Sequence, residues 1–393
     1  MTKSRAAVVE ERDAAFSYRD IEIDEPGPGE ILVRVVATGV CHTDEITRHG
    51  DMPMPVPAVL GHEGAGVVEA VGDDVTSPAV GDRVVLGWPF CGQCEHCKDG
   101  EHRYCARLGE AVAGGFRLLG PRAGQSAYRT ADGSPLHGHF FGQSSFATYS
   151  LALASSAVSV PDDIPLDIAG PLACGISTGA GAVLNTARPG CGDSVVVYGA
   201  GAVGLAAVMA ATNTPATTIV AVDKHPSRLQ LARELGATHV VDAAVEPDVV
   251  ETVRDLCGGP ADFALECTGV IAVVEQAVAT VGMLGTCLLV GGAPAGASFE
   301  VDHLTTMWGK RIVGVLGGGG RSDRLVPTLF ALYRQGRFPF DRLISYFDFD
   351  DVERALESSH RGEAIKPVLR VRPEEGGPAE PVPEADTGVV GIA

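Results

Sequence analysis

The chain has 393 residues, 45% of them hydrophobic and 20% charged, and its 50 acidic against 30 basic residues give a formal net charge of −20. That charge argues against nucleic acid or an anionic membrane surface as partner, and no run of about 18 apolar residues offers a membrane span. The composition is that of a globular chain too long for one hydrophobic core, so two domains are expected. Residues 1–6 lead into a strand-like segment without an apolar leader, and cytoplasmic residence is the expectation. Thiols stay reduced there, which turns the ten cysteines toward metal ligation and away from disulfides.

To about residue 155 the chain reads as short strands broken by Gly and Pro, for example 31–36, 66–71 and 82–86. This is the pattern of a β-barrel, with long polar loops between 91 and 140. Cys41-His42-Thr43-Asp44 follows the first of these strands, and His62-Glu63 stands in the run Gly61-His62-Glu63-Gly64-Ala65-Gly66. In the polar loops Cys91, Cys94, Cys97 and Cys105 are separated by two, two and seven residues. Four thiols so close together are the ligand set of a tetrahedral structural zinc. The polar neighbours Gly92, Asp99, Gly100 and Glu101 argue against a core segment of inert thiols. A four-thiolate site leaves no position for water or substrate, so its role is structural.

A chain that handles zinc invites a search for a second, open site. Such a site takes three protein ligands, and two cysteines with one histidine are a recurrent set. Cys41, His62 and Cys174 are candidates. Spacing alone does not bring residues so far apart together. Each also fits a packing role, the cysteines as small buried hydrophobes and His62 as a hydrogen-bonded core histidine.

From about 176 to 315 the rhythm changes to strands at 195–198, 218–222, 238–241, 261–267 and 287–290, with helices between them, one spanning 227–235. Such alternation implies a parallel sheet covered by helices. Gly199-Ala200-Gly201-Ala202-Val203-Gly204 follows the first strand and opens a helix, which is the context a dinucleotide-binding turn requires. Its helix N-terminus offers free amides to phosphates. Asp223, at the end of the next strand, can accept hydrogen bonds from an adenosine ribose and would repel a 2′-phosphate, which favours NAD over NADP. Lys224 and Arg228 lie nearby and dilute that preference. Residues 316–371 are expected to rejoin the first domain, and 372–393, rich in Glu, Pro and Gly, to form a disordered tail.

The run Gly61-His62-Glu63, with Gly66, Gly72 and Val75 at their spacings, is the zinc alcohol dehydrogenase signature of the medium-chain dehydrogenase/reductase family. The four-cysteine lobe and the glycine turn fall in that family's order, so the chain resembles it from about residue 6 to 371. The resemblance implies an α/β fold: a GroES-like β-barrel catalytic domain (1–175 and 316–371) around a Rossmann domain with a doubly wound parallel sheet (176–315). It implies NAD, a catalytic zinc on Cys41, His62 and Cys174, and a structural zinc on Cys91, Cys94, Cys97 and Cys105. Within the family the chain is most similar to bacterial aryl-alcohol (benzyl-alcohol) dehydrogenases, through 139–149, 338–343 and 362–368.

The implied chemistry is hydride transfer between a primary aromatic or bulky apolar alcohol and NAD, with zinc as Lewis acid. Thr43 matches the hydroxyl beside the metal that takes the alcohol proton, and Asp44 and Glu63 match carboxylates that orient ligands. His42 and Lys366 match basic side chains at the pyrophosphate, and Thr178 and Val203 match positions beside the nicotinamide. Trp88, Phe140 and Phe141 match positions near the substrate cleft, where an aromatic lining suits aryl alcohols. One departure stands out: the family's relay histidine, five residues after the first cysteine ligand, is Ile46 here, so the relay is expected to end through water, the ribose hydroxyls or another group, His49 being one candidate.

The rival enzymatic reading is a thiol-dependent formaldehyde dehydrogenase, which shares both zinc sites. A non-catalytic binding protein would lack the seven ligands that this chain has. The expected partners are a small-molecule alcohol or aldehyde and further copies of the chain, in a homodimer or homotetramer. Cys191, Cys257, Cys267 and Cys287 are left as packing thiols.

Overall fold

The structure, a computed structural model, describes residues 1–372, so the tail expected at 372–393 lies, apart from Arg372, outside the described residues. The strand Glu30–Gly39 is the spine of the first half. Its run of Ile, Leu, Val and Ala is buried on both faces, with only Arg34 partly exposed. It pairs antiparallel with Gly64–Val71, with Tyr149–Leu153 and with Lys366–Arg370. A second sheet, led by Thr2–Val9 against Ser17–Ile23, closes over it to complete the barrel.

The register of these pairings positions the site. Thr38 stands opposite Gly64 and Val368 opposite Gly39. The C-terminal end of one strand therefore meets the N-terminal ends of two others. Cys41, His62-Glu63 and Lys366 emerge at a single end of the sheet although they are far apart in sequence.

Six parallel strands form the sheet of the second half, in the spatial order His239–Asp242, Thr218–Asp223, Ser194–Tyr198, Ala261–Glu266, Val281–Leu289, Arg311–Gly314. Counted along the chain that order is 3-2-1-4-5-6, the doubly wound arrangement, and a ligand crevice is expected where the winding reverses. The all-apolar helix Ala202–Ala211 is buried from Gly204 onward between this sheet and the helix Gly175–Gly181. A Cβ on Gly179 would stand 1.9 Å from the Val203 carbonyl oxygen, so glycine there is what allows the two helices to approach. No single helix among the described residues is long and apolar enough to cross a membrane.

Two expectations are corrected. The segment 91–140 is not all loop, since it holds the helices Glu95–Lys98 and Leu108–Ala113 and the strands Tyr128–Thr130 and Pro135–Leu136. Elements this short carry too few residues for a periodicity to be read. Ser17–Ile23 is a strand that its charged, half-exposed sequence hid. Cys191 is exposed in the turn before Ser194–Tyr198 and is no packing thiol, whereas Cys287 is buried and Cys257 and Cys267 are partly so. The division of the chain near 175 and 315 remains a proposal, which the return of Lys366–Arg370 to the first sheet supports.

His139 is buried in the barrel beside Tyr128, and its Nε2 accepts the Ala127 N–H at 3.2 Å. Burial, with a smaller contribution from the Arg117 charge, pushes its pKa down to about 3. The unfolded chain therefore binds one more proton than the folded chain between about pH 6.5 and pH 3, and stability falls as the pH drops through that window. The slope contributed is at most about 1.4 kcal/mol per pH unit. His139→Gln should flatten the acid limb of a denaturant-unfolding series run from pH 7 to pH 4; parallel limbs for the two proteins would refute this role.

Candidate active site

Asp44 lies in the first turn of the helix His42–His49 and has no exposed surface. Its Oδ2 accepts the Cys41 N–H at 3.0 Å, and its Oδ1 accepts the Gly61 N–H and the His62 Nδ1–H, each at 3.0 Å. That bond fixes the His62 tautomer and turns the Nε2 lone pair the other way. Nε2 is buried and has no hydrogen-bond partner. It lies within 4.8 Å of ligand atoms of Cys41, Cys174 and Glu63. A buried, unpartnered imidazole nitrogen facing two thiols is the donor set of an open zinc site, so these residues fit the metal that the sequence calls for.

Cys174 arrives from the other half of the chain, between the 3₁₀ turn Gly170–Ala173 and the helix Gly175–Gly181. The nearby Cys174 thiol, with help from the Lys366 charge, holds the Cys41 thiol well below the usual range, and Cys41 together with burial raises Cys174. Burial works to lower the His62 pKa, but the Asp44 carboxylate and the Cys41 sulfur together outweigh it and the net shift is upward. Glu63 is pushed up to about 7 by burial, against the pull of Lys366. Lys366 Nζ is 2.9 and 3.0 Å from the two Glu63 oxygens and donates to the Val40 carbonyl at 3.2 Å. Lys366 was expected at the pyrophosphate; it lines the cleft beside the glycine turn, with its ammonium paired to Glu63. Thr43 Oγ1 lies 3.6 Å from Cys41 Sγ, beside the proposed metal position. Ile46 is half-buried on the same helix, and His49 pairs with Asp13 on the surface.

The four cysteines of the lobe also converge, with ligand atoms within 4.8 Å of one another. Backbone amides point at their sulfurs: Cys94 N–H to Cys91, Ala106 N–H to Cys94, Arg107 N–H and Cys91 N–H to Cys105, each at 3.4 Å. Donors of this kind suit thiolates. They hold Cys94 down at about 6, chiefly through the Ala106 amide, whereas burial lifts Cys97 to about 12.

A cleft of about 380 Å³ opens between the halves, lined by Cys41, His42, Gly201, Val203, Gly204, Lys224, Arg228 and Lys366. Gly199 has φ +94°, and a Cβ on Gly204 would stand 1.8 Å from the Gly199 carbonyl oxygen. A Cβ on Gly201 would meet nothing within 4 Å, which leaves the open space a pyrophosphate needs over the helix N-terminus. Asp223 caps the turn, accepting the Ala200 N–H at 2.7 Å and the His225 N–H at 2.8 Å. Thr178 is buried behind the cleft with its hydroxyl on the Cys174 carbonyl at 2.8 Å. His225, Leu356 and His360 also line the cleft and escaped the sequence reading. His225 could have been found as the cap that follows Asp223; His360 comes from a distant helix and leaves no spacing signal.

Phe140 and Phe141 are core residues, 0% and 3% exposed, that pack around the His62 ring at 5.4 and 4.6 Å. Trp88 is half-buried, touches Phe141 at 4.8 Å and borders a cavity of about 320 Å³. The buried Arg103, another residue the sequence reading missed, stacks over Trp88 at 4.6 Å and donates to Ser322 at 2.9 Å.

Residues 27–162 match the family described as the alcohol dehydrogenase GroES-like domain, and residues 202–332 match the zinc-binding dehydrogenase family. The chain is similar to a geraniol dehydrogenase from Castellaniella defragrans, 40% identical over 93% of this chain and 97% of that protein. It is 33% identical to an S-(hydroxymethyl)glutathione dehydrogenase from Paracoccus denitrificans, over 93% of this chain and 99% of that one. Among solved structures, a benzyl alcohol dehydrogenase from Acinetobacter calcoaceticus is 40% identical with a TM-score of 0.89, covering 94% of this chain and 100% of that one. An alcohol dehydrogenase zinc-binding domain protein from Burkholderia ambifaria is 47% identical with a TM-score of 0.91, covering 94% and 99%. Fold and matches together define a zinc-binding dehydrogenase built from a GroES-like and a Rossmann-type domain. The chain belongs to the zinc-dependent alcohol dehydrogenase family of medium-chain dehydrogenases/reductases and is an oxidoreductase of that class.

Asp44→Asn should weaken zinc retention at Cys41, His62 and Cys174 by about 10–100-fold while the four-cysteine lobe stays loaded, because the amide cannot accept all three N–H bonds. Metal content after dialysis against a weak chelator checks this; equal content in the two proteins would overturn the assignment.

Proposed function

We propose that this protein oxidises primary alcohols bearing an aromatic or bulky apolar group to aldehydes, reversibly, with NAD and two zinc ions per chain. The observation that carries the reading is the unpartnered, buried Nε2 of His62 between two thiols, at the end of a cleft floored by Gly201. When bound, zinc supplies Lewis acidity toward an alcohol oxygen and NAD supplies the hydride acceptor.

The chain's own residues do the rest. Asp44 orients His62, and Glu63 with Lys366 sets the field behind the ligands. The Thr43 hydroxyl holds the substrate proton and passes it outward. Ile46 offers no imidazole to receive that proton, so its exit runs by another acceptor. Gly199, Gly201, Gly204 and His42 receive the pyrophosphate, with Lys224 and Arg228 at the rim. Thr178 and Val203 back the nicotinamide, and Asp223 faces the adenosine ribose. Trp88 gives the site an apolar wall, with Phe141 and Phe140 packed behind it. Relatives named for geraniol and benzyl alcohol support a bulky unsaturated alcohol. A homo-oligomer is supported by the exposed apolar group Met283, Leu284, Leu304, Met307 and Trp308 at one side of the parallel sheet. The reduced thiols suit a cytoplasmic setting.

The buried Arg103 and the Arg321 beside the Trp88 cavity favour one second reading, a formaldehyde dehydrogenase that acts on an anionic thiol adduct. A kcat/KM panel separates the two. Benzyl alcohol and geraniol should exceed formaldehyde plus glutathione by at least about tenfold, a difference of about 1.4 kcal/mol. The reverse order would replace the first reading by the second.

Asp223→Ser removes the charge that repels a 2′-phosphate and should lower the NAD/NADP ratio of kcat/KM by at least about tenfold. An unchanged ratio would show that Asp223 only holds the turn.

A further inference from the structure

His42, Glu45 and His360 form a cluster separate from the two zinc sites, at the rim of the cleft. His42 and Glu45 are one turn apart on the helix His42–His49, and His360 ends the helix Val352–His360. Glu45 Oε2 lies 2.5 Å from His360 Nε2 and 3.3 Å from His42 Nδ1. The two rings stand 6.2 Å apart with their planes at 79°, so they approach that one oxygen from different directions. All three groups have a ligand atom within 4.8 Å of the others. The Glu45 side chain is only 10% exposed, whereas those of His42 and His360 are 70% and 55% exposed. A fixed carboxylate thus forms the base of the cluster, with two imidazoles over it and solvent beyond.

The other oxygen of Glu45 carries the remaining cationic neighbours. Arg48 Nη2 and His49 Nε2 are each 3.9 Å from Oε1, and Arg48 spends its shorter bonds, 2.9 and 3.0 Å, on Glu353. Oε2 is left to the two rings. A lone His-carboxylate pair one helical turn apart is an ordinary surface contact of little strength. A second ring from another helix on the same oxygen is a donor set of two nitrogens and one carboxylate, with a solvent side for further ligands. That set suits zinc and neighbouring divalent transition metals and gives no preference to calcium or magnesium.

We propose that, when no dinucleotide occupies the cleft, His42, Glu45 and His360 bind a divalent transition metal as a third site, clamping the helices His42–His49 and Val352–His360 together at the cleft rim.

The test compares full-length wild type with His360→Ala, both zinc-loaded, by titration with cobalt(II) and by zinc content after gel filtration at micromolar free zinc. His360 is largely exposed at a helix end, so its loss should leave the fold intact, which circular dichroism checks. The expected result is one more equivalent of metal in wild type than in the variant. The extra cobalt should show no thiolate charge-transfer absorption, and Glu45→Gln should lose the same equivalent. Equal binding by wild type and His360→Ala, or a thiolate signature on the extra equivalent, would overturn the proposal. The readout is a difference between two proteins, so it is independent of which alcohol is oxidised and of whether any is.

Discussion

Asp44 is the contact on which the site depends. Its two oxygens take three N–H groups, from Cys41, Gly61 and His62, with no water access. A buried carboxylate without partners is costly; one with three charge-assisted hydrogen bonds is a rigid joint. Here the joint ties the start of one helix to the loop that carries the histidine and decides which imidazole nitrogen faces the thiols. The strand register brings these segments to one end of the sheet, and Asp44 then sets the last ångström.

Around that joint the chain buries an unusual density of ionisable groups. Cys41, Cys174, His62, Glu63 and Lys366 perturb one another's proton affinities. Glu63 and Lys366 form an ion pair with almost no exposure, and such a pair often does little for stability because desolvation offsets attraction. Its position suggests a different use. The ammonium lies behind the thiol ligands, where it tempers the negative charge gathered there, and it is shared with the carboxylate rather than offered freely to a phosphate.

What the sequence disclosed and what it hid follow the distance over which each feature is written. The four-cysteine lobe and the glycine turn are local: their ligands or amides lie within about a dozen residues, and spacing alone identifies them. Cys41, His62 and Cys174 are not local. Their convergence needs the pairing of Glu30–Gly39 with Gly64–Val71 and a crossover from the other half, so residue type made them candidates and only the family resemblance joined them into one set. His360 carries no signature and came from structure alone. Phe140 and Phe141 illustrate a third case. Their aromatic character was plain, but whether a ring faces a cavity or a ligand's flank depends on packing, and the structure sets both against His62 in the core.

The helix Gly175–Gly181 joins the two halves of the site and leaves little slack between them. Cys174 precedes it, and Thr178 bonds back to the Cys174 carbonyl. On one side Gly179 lies against the Val203 carbonyl of the dinucleotide helix, where an added Cβ would be 1.9 Å away. On another, a Cβ on Gly181 would be 2.2 Å from the Gly318 carbonyl oxygen, and one on Gly318 would be 2.2 Å from that of Ser177. Backbone therefore meets backbone along the length of this helix, without compressible side chains between. Close-packed interfaces of this kind transmit displacement rather than absorb it. A shift of Val203 would press on this helix and, through it, on the Cys174 that precedes it.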